Sequence, residues 1–203
     1  MHKKILSTGT AQLATRVCEP EGAPAHASVV IGGAMGVRQD YYAPFSEWLS
    51  SQGFRVTTFD YRGSGDSLPD TADGRLRGFQ ADLMDWASDY ETVVDSAKAA
   101  LPGAPLYLLG HSLGAQLPGC LKNQSISDDE LMTWRGTQNL INLYTSAPRS
   151  FERITPADLS VKRIGHFGFF RQQFSQNLWP RAVQVFERMR TTPAASSVAS
   201  TTA

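Results

Sequence analysis

Long apolar runs are the first thing missing from this chain. No stretch of its 203 residues stays apolar over the roughly 20 positions that a bilayer-spanning helix needs. The opening MHKKILSTGT carries Lys3 and Lys4, but only Ile5 and Leu6 follow as apolar residues. That is too little for the core of a secretory leader. A soluble, cytoplasmic protein with no membrane span is the expectation. Cysteine is scarce as well: Cys18 and Cys120 are far apart in sequence. Two distant thiols exclude a disulfide framework and do not suggest a zinc site, which needs about four closely spaced N or S ligands. One disulfide stays open; two free thiols in a reducing compartment is the preferred reading. Neither sign of charge is in excess, with 19 basic and 19 acidic residues. A general attraction to nucleic acid or to anionic lipid is therefore not implied. Internal repeats are absent. The length suits one domain, residues 1–190, and the small polar residues 191–203 read as a disordered tail.

What is present is an alternation of strands and helices. Residues 13–19, Ala27–Ile31, Phe54–Phe59 and Leu106–Leu109 read as strands. Tyr42, Phe45, Trp48 and Leu49 recur at helical spacing within 40–52. The strongest helix lies over 79–101, where Leu83, Trp86, Ala87, Tyr90, Val93, Val94, Ala97 and Leu101 share one stripe before Pro102-Gly103. Residues 134–147 allow a helix and 150–155 a last strand. A closing helix is expected over 174–190, with Leu178, Trp179, Val183, Phe186 and Met189 apolar and Pro180 in its first turn. Such alternation predicts the α/β class: a mainly parallel sheet with helices on both faces.

Chemistry concentrates in LYLLGHSLGAQLPGC, residues 106–120. Gly110-His111-Ser112-Leu113-Gly114 has the form Gly-x-Ser-x-Gly, directly after a strand and ahead of a helix start near Leu113. A nucleophile on so sharp a turn takes strained backbone angles. Small residues two places before and after relieve crowding between strand and helix. The turn lifts the hydroxyl above the sheet, and the helix N-terminus offers N–H groups to developing negative charge. A glycine-rich turn whose Ser only caps the helix is the plainer alternative. The glycine-rich RGSGDS (62–67) lacks a Gly-Lys-Ser/Thr ending, so nucleotide binding is not expected.

VVIGGAMGV, FDYRGSGDS, LLGHSLG and RIGHFGFF together resemble the α/β-hydrolase family, in the group of serine esterases, monoacylglycerol lipases and serine aminopeptidase-like proteins. Residues 13–122 follow the family order. The resemblance implies a doubly covered, mainly parallel sheet and a serine hydrolase acting on a carboxylic ester through an acyl-enzyme. Its partner is a small-molecule acyl substrate, with no metal or organic cofactor. It also implies an oxyanion hole from the backbone N–H groups of Leu113 and Ala34, with Gly32 standing where members commonly carry His.

The base follows from the same resemblance, since the family order asks for a late histidine. Of four histidines, His2 is terminal, His26 precedes a strand, His111 lies on the elbow, and only His166 follows Ser112. The orienting acid should fall between them. SISDDELM favours Asp129, with Asp128 the immediate alternative; Glu130 belongs to the same acidic start, and Asp158 reads as a turn cap.

Compared with the family pattern, the chain passes from the elbow helix to the acid segment within a few residues. It is expected to lack the sixth strand, the cap and most of the seventh strand. Pro118 and Gly119 should interrupt the elbow helix. This shortening motivates a rival reading, a catalytically inactive remnant that acts through binding or as a homo-oligomer. A thioesterase or peptidase of the same fold is the third.

Overall fold

The computed structural model describes residues 1–69, 76, 79–120, 152 and 154–191. Its centre is a five-stranded sheet in the order β1-β2-β4-β3-β5. The strands are β1 (His2–Ser7), β2 (Gln12–Cys18), β3 (Ala27–Gly32), β4 (Phe54–Phe59) and β5 (Leu106–Gly110). The first three in spatial order pair antiparallel; β4, β3 and β5 run parallel. Parallel neighbours need a crossover, and two helices supply it. Helix α1 (Ala43–Ser51) links β3 to β4, and α2 (Leu83–Ala100) links β4 to β5.

The strand sequences explain the layering. β3 is ASVVIG and is buried along its whole length, as a central parallel strand must be. Its alternate residues serve two cores. Val29 and Ile31 join Phe45 and Leu49 of α1, together with Trp179 and Phe186 of the last helix, α4 (Trp179–Thr191). Val30 joins Tyr90, Val93 and Ala97 of α2. Helices thus cover both faces, as the pattern of strands and helices predicts.

Most expected elements fall where the sequence places them, with informative differences at their ends. Asp82 caps α2 by accepting from the amides of Met84 and Asp85, and Asp85 returns a bond to the Asp82 amide. That reciprocal box fixes the start at Leu83. Leu83 and Met84 are consequently exposed in the first turn, and the buried stripe begins further on, at Ala87. A short 3-10 turn, Gln39–Tyr42, precedes α1, whose Pro44 sits in the first turn. The helix after Ser112, α3, spans only Leu113–Gln116 and continues as a 3-10 turn over Leu117–Cys120. Pro118 lies within that turn, as its lack of an N–H donor requires. Thr191 closes α4 rather than opening the tail.

One element escaped the sequence reading. β1, HKKILS, is mostly exposed and has no buried face of its own. It exists through its ladder with β2, from His2 opposite Val17 to Ser7 opposite Gln12. The helix expected over 134–147 and the tail 192–203 lie outside the described residues. So does most of the expected strand 150–155; Glu152, Ile154 and Thr155, which are described, are not in a strand.

The glycine-rich loop after β4 is tied down by charge. The Arg62 guanidinium binds the fully buried Asp89 of α2 at 2.7 Å and Asp85 at 2.7 Å, and its backbone N–H also donates to Asp89 at 3.0 Å. A second buried carboxylate, Asp60, accepts from the backbone N–H groups of Gln39 and Asp66 and from the Gln39 amide side chain. These bonds lock the loops that follow β3 and β4 to each other at the carboxyl end of the sheet. Open α/β sheets place their ligands at that end.

Candidate functional site

Ser112 sits where β5 turns into α3, with φ 53° and ψ −113°. Few L-residues take these angles, and a non-glycine residue held there stores strain of about 1–3 kcal/mol. The surroundings explain how it is held. The His111 N–H bonds the Gly32 carbonyl at 2.9 Å and extends the β3–β5 ladder to the turn. One residue later the helix has begun, with Gly114 N–H bonding His111 O at 3.0 Å and Ala115 N–H bonding Ser112 O at 2.9 Å. Strand and helix are therefore pressed together. A methyl group on Gly110 would overlap the backbone of Ala115, and one on Gly114 would overlap the Gly32 carbonyl. These contacts give the two flanking glycines of the motif their physical reason.

Gly32 has its own cause. A Cβ there would stand 2.7 Å from the Tyr90 ring. Tyr90 comes from α2 and is fully buried, and burial pushes its phenol well above the ordinary tyrosine range. The ring fills the space that a side chain at position 32 would need.

His166 lies in the loop before α4, and the fold brings it to the elbow. Its ring centroid is 4.7 Å from that of His111, the residue before Ser112. The loop is held by its carbonyl oxygens. His166 O receives His111 Nε2 at 3.1 Å, Phe167 O receives the Tyr41 hydroxyl at 2.6 Å, and Phe169 O receives the Trp179 indole N–H at 2.7 Å. Gly168 is packed against Ile164 so closely that a methyl group would not fit.

Leu113 opens α3 directly after Ser112. Ala34 lies in the loop after β3, and its N–H donates to the Tyr42 hydroxyl at 2.8 Å. That hydroxyl also meets His111 Nδ1 at 2.9 Å. Asp128, Asp129 and Glu130 lie outside the described residues. Asp158 caps a 3-10 turn, Pro156–Leu159, accepting from the Thr155 N–H at 2.7 Å and from its hydroxyl at 2.8 Å. Those bonds, the backbone one foremost, hold its carboxyl below the usual range. Asp158 thus acts as the turn cap its sequence suggests. Cys18 is buried and not in a disulfide, and burial pushes its thiol up. Among the described residues no helix is long and apolar enough to cross a membrane.

The sequence reading missed Tyr42 and His111 as parts of the site. Tyr42 reads in the sequence as a core residue at helical spacing, and His111 only as a residue of the elbow. The 2.9 Å bond between them, at the carboxyl end of the sheet, joins the loop after β3 to the elbow.

Comparison with known proteins agrees with this architecture. Residues 23–118 match the family model described as serine aminopeptidase, S33. The chain is 37% identical over 94 residues to the lysophosphatidylserine lipase ABHD12 of Macaca fascicularis, covering 45% of this chain and 21% of that protein. It is 37% identical over 91 residues to the same lipase of Mus musculus, covering 44% and 20%. The chain thus spans about a fifth of the length of these curated relatives. Among solved structures, a soluble variant of monoglyceride lipase from Saccharomyces cerevisiae superposes with a TM-score of 0.50 at 20% identity, covering 58% of this chain and 38% of that one. A thermostable carboxyl esterase from Bacillus coagulans gives 0.50 at 19%, covering 59% and 38%. Sheet order, elbow and superposition together show that this chain has the fold of the α/β hydrolases, with the family model matching just under half of its length.

Proposed function

We propose that this chain is a serine hydrolase that cleaves carboxylic esters through an acyl-enzyme. One observation carries the reading above all: Ser112 is held at strained, positive-φ angles at the head of a helix, on a turn that tolerates only glycine at 110 and 114. Such strain is costly, and it places a hydroxyl above the carboxyl end of the sheet, where substrates bind. In this mechanism Ser112 attacks the acyl carbonyl. His166 takes the hydroxyl proton and returns it to the departing alcohol. Water, deprotonated by the same imidazole, then releases the acid. Asp129 orients His166, with Asp128 as its alternative. The Leu113 N–H receives the oxyanion charge, aided by the positive end of the short helix. The Ala34 N–H joins it when it exchanges the Tyr42 hydroxyl for substrate oxygen. The likeness to lipases and esterases supports esters over amides; a thioesterase or peptidase is distinguished by a chromogenic substrate panel.

A fluorophosphonate probe tests the reading. Wild-type protein takes the label on Ser112, and Ser112→Ala loses it while a surface Ser→Ala control keeps it. Well-folded wild-type protein that takes no label sinks the proposal. The same experiment weighs the rival, a catalytically silent fold that acts through binding or oligomerisation. The bond between the Ala34 N–H and Tyr42 favours that rival, because it draws one expected oxyanion donor into the protein.

A further inference from the structure

Most arginines of this chain are neutralised where they stand. Arg16, Arg38, Arg55, Arg62, Arg181 and Arg190 each reach a carboxylate. The loop that carries His166 breaks that pattern. Between Ser160 and Phe186 the sequence holds no Asp or Glu, but it holds Lys162, Arg163, Arg171 and Arg181. Arg181 turns to Glu152. Lys162, Arg163 and Arg171 are exposed, and among the described residues their side chains enter no ion pair. The apolar residues between them set their direction. Ile164, Phe170 and Phe174 are buried in the core shared with α1 and α4, which fixes the loop and leaves the cations on its outside. Arg163 folds over the turn before His166: a Cβ on Gly165 would meet only Arg163 Nε, at 3.5 Å.

Two large apolar side chains stand out on the same rim. Phe167, in the loop itself, is 38% exposed, and Met35, beside Ala34 in the loop after β3, is 68% exposed. The Tyr41 hydroxyl on Phe167 O, at 2.6 Å, ties the segment after β3 to the His166 loop at the carboxyl end of the sheet. Exposed Met and Phe bordered by unpaired cations match the boundary of an anionic bilayer. There apolar side chains enter the acyl region and cations meet headgroup phosphates. The opposite rim differs. Leu83 and Met84 are exposed too, but Asp82 and Asp85 flank them at the head of α2. We propose that the His166 loop, together with Met35, docks this protein on the surface of an anionic lipid bilayer. The balanced net charge does not oppose docking, because screening over roughly 8 Å lets a surface respond to the charges nearest to it. The Phe167 ring lies 5.2 Å from that of His111, the residue before Ser112, so docking brings the elbow to the bilayer. The inference goes beyond ester hydrolysis and does not depend on it, since docking needs no nucleophile.

Co-sedimentation of the full chain with vesicles tests this, using phosphatidylcholine alone and phosphatidylcholine mixed with phosphatidylserine. Binding is expected on the mixed vesicles, and rising salt should weaken it. Each cation near an anionic surface contributes about 5-fold in affinity, so the combined Lys162→Gln, Arg163→Gln and Arg171→Gln variant should lose roughly 100-fold. Lys98→Gln removes an exposed cation from the last turn of α2, at the opposite end of the sheet, and should change binding by less than about 2-fold. Met35→Ser should weaken binding by about 5-fold. All these positions are exposed, so the variants should keep the wild-type melting temperature, which is measured alongside. Wild-type protein that binds neither vesicle, or both alike, overturns the proposal. So does a triple variant that binds like wild type, or a loss in Lys98→Gln as large as that from one loop cation. Unchanged binding by Met35→Ser overturns it as well, because a patch that acts by charge alone fits any polyanion. Wild-type protein that takes no fluorophosphonate label sinks the hydrolase reading instead and leaves the vesicle result standing.

Discussion

The elbow that carries Ser112 and the loop that carries His166 are held by different means. The elbow is built from backbone: a ladder bond from His111 to Gly32, two helical bonds that start at once, and glycines whose hydrogens touch neighbouring main chain. The loop is built from side chains reaching in from afar. His111, Tyr41 and Trp179 each donate to one of its carbonyls, across 55, 126 and 10 positions of sequence. A backbone-built turn is local and tolerates almost no substitution. A side-chain-built loop can lose one anchor at a time. The turn at Ser112 should therefore fail all at once, and the loop at His166 by degrees.

The largest expected effect breaks the first half of that comparison. Gly114→Ala drives a methyl group into the Gly32 carbonyl and should destabilise the fold by about 3 kcal/mol, the upper end for overpacking. Denaturant unfolding would measure it. Next comes the loop. Trp179→Phe removes the indole donor from Phe169 O and shrinks a fully buried side chain, at a cost of about 2 kcal/mol. Hydrogen exchange should quicken around residues 164–171 before it does at the elbow.

Ser112→Gly runs the other way. Glycine accepts a positive φ without strain, so this variant should gain about 1 kcal/mol while losing the probe site. A loss of stability would show that the Ser112 side chain, rather than the contacts around it, holds the turn. Tyr41→Phe withdraws the hydroxyl from Phe167 O, and about 1 kcal/mol is expected. Its labelling rate should drop while the melting temperature falls by only about 2–4 °C.

Acid gives the smallest effect. Asp66 lies in the turn after β4 and is bridged to Arg16, Lys3 and Arg38. The hydrogen bond from Arg16, above all, holds its carboxyl below the usual range. A carboxyl lowered in the folded state adds stability above its unfolded value, about 3.9, and loses it as pH falls from there through the folded value. Asp66→Asn should flatten part of that acid loss in a pH series of melting curves. Asp158→Asn, whose bonds stay within one exposed turn, should flatten it less.

Much of the site was legible because its causes are local. Gly-x-Ser-x-Gly after an apolar strand announces a strained turn, and the structure has that turn at Ser112. RIGHFGFF announces a tight loop around His166, and Gly165 with φ 76° and the closely packed Gly168 are that loop. The Thr155–Asp158 cap was readable from four residues. β1 was not, because an exposed strand paired on one edge leaves no alternation in its sequence. The bond from the Ala34 N–H was not, because its acceptor is a tyrosine eight residues on that looks like core.

The sequence by itself determined the order of strands and helices, the two-sided burial of β3, and the strained turn at Ser112. Each depends on residues within one or two turns of chain, where periodicity and glycine geometry act directly. Only the tertiary structure decided which groups meet that turn. His111 and Tyr42 meet because parallel strands bring the ends of distant segments to one end of the sheet, and the loop carrying His166 packs against them there. Hydrogen bonds across such distances leave no periodic trace in the chain.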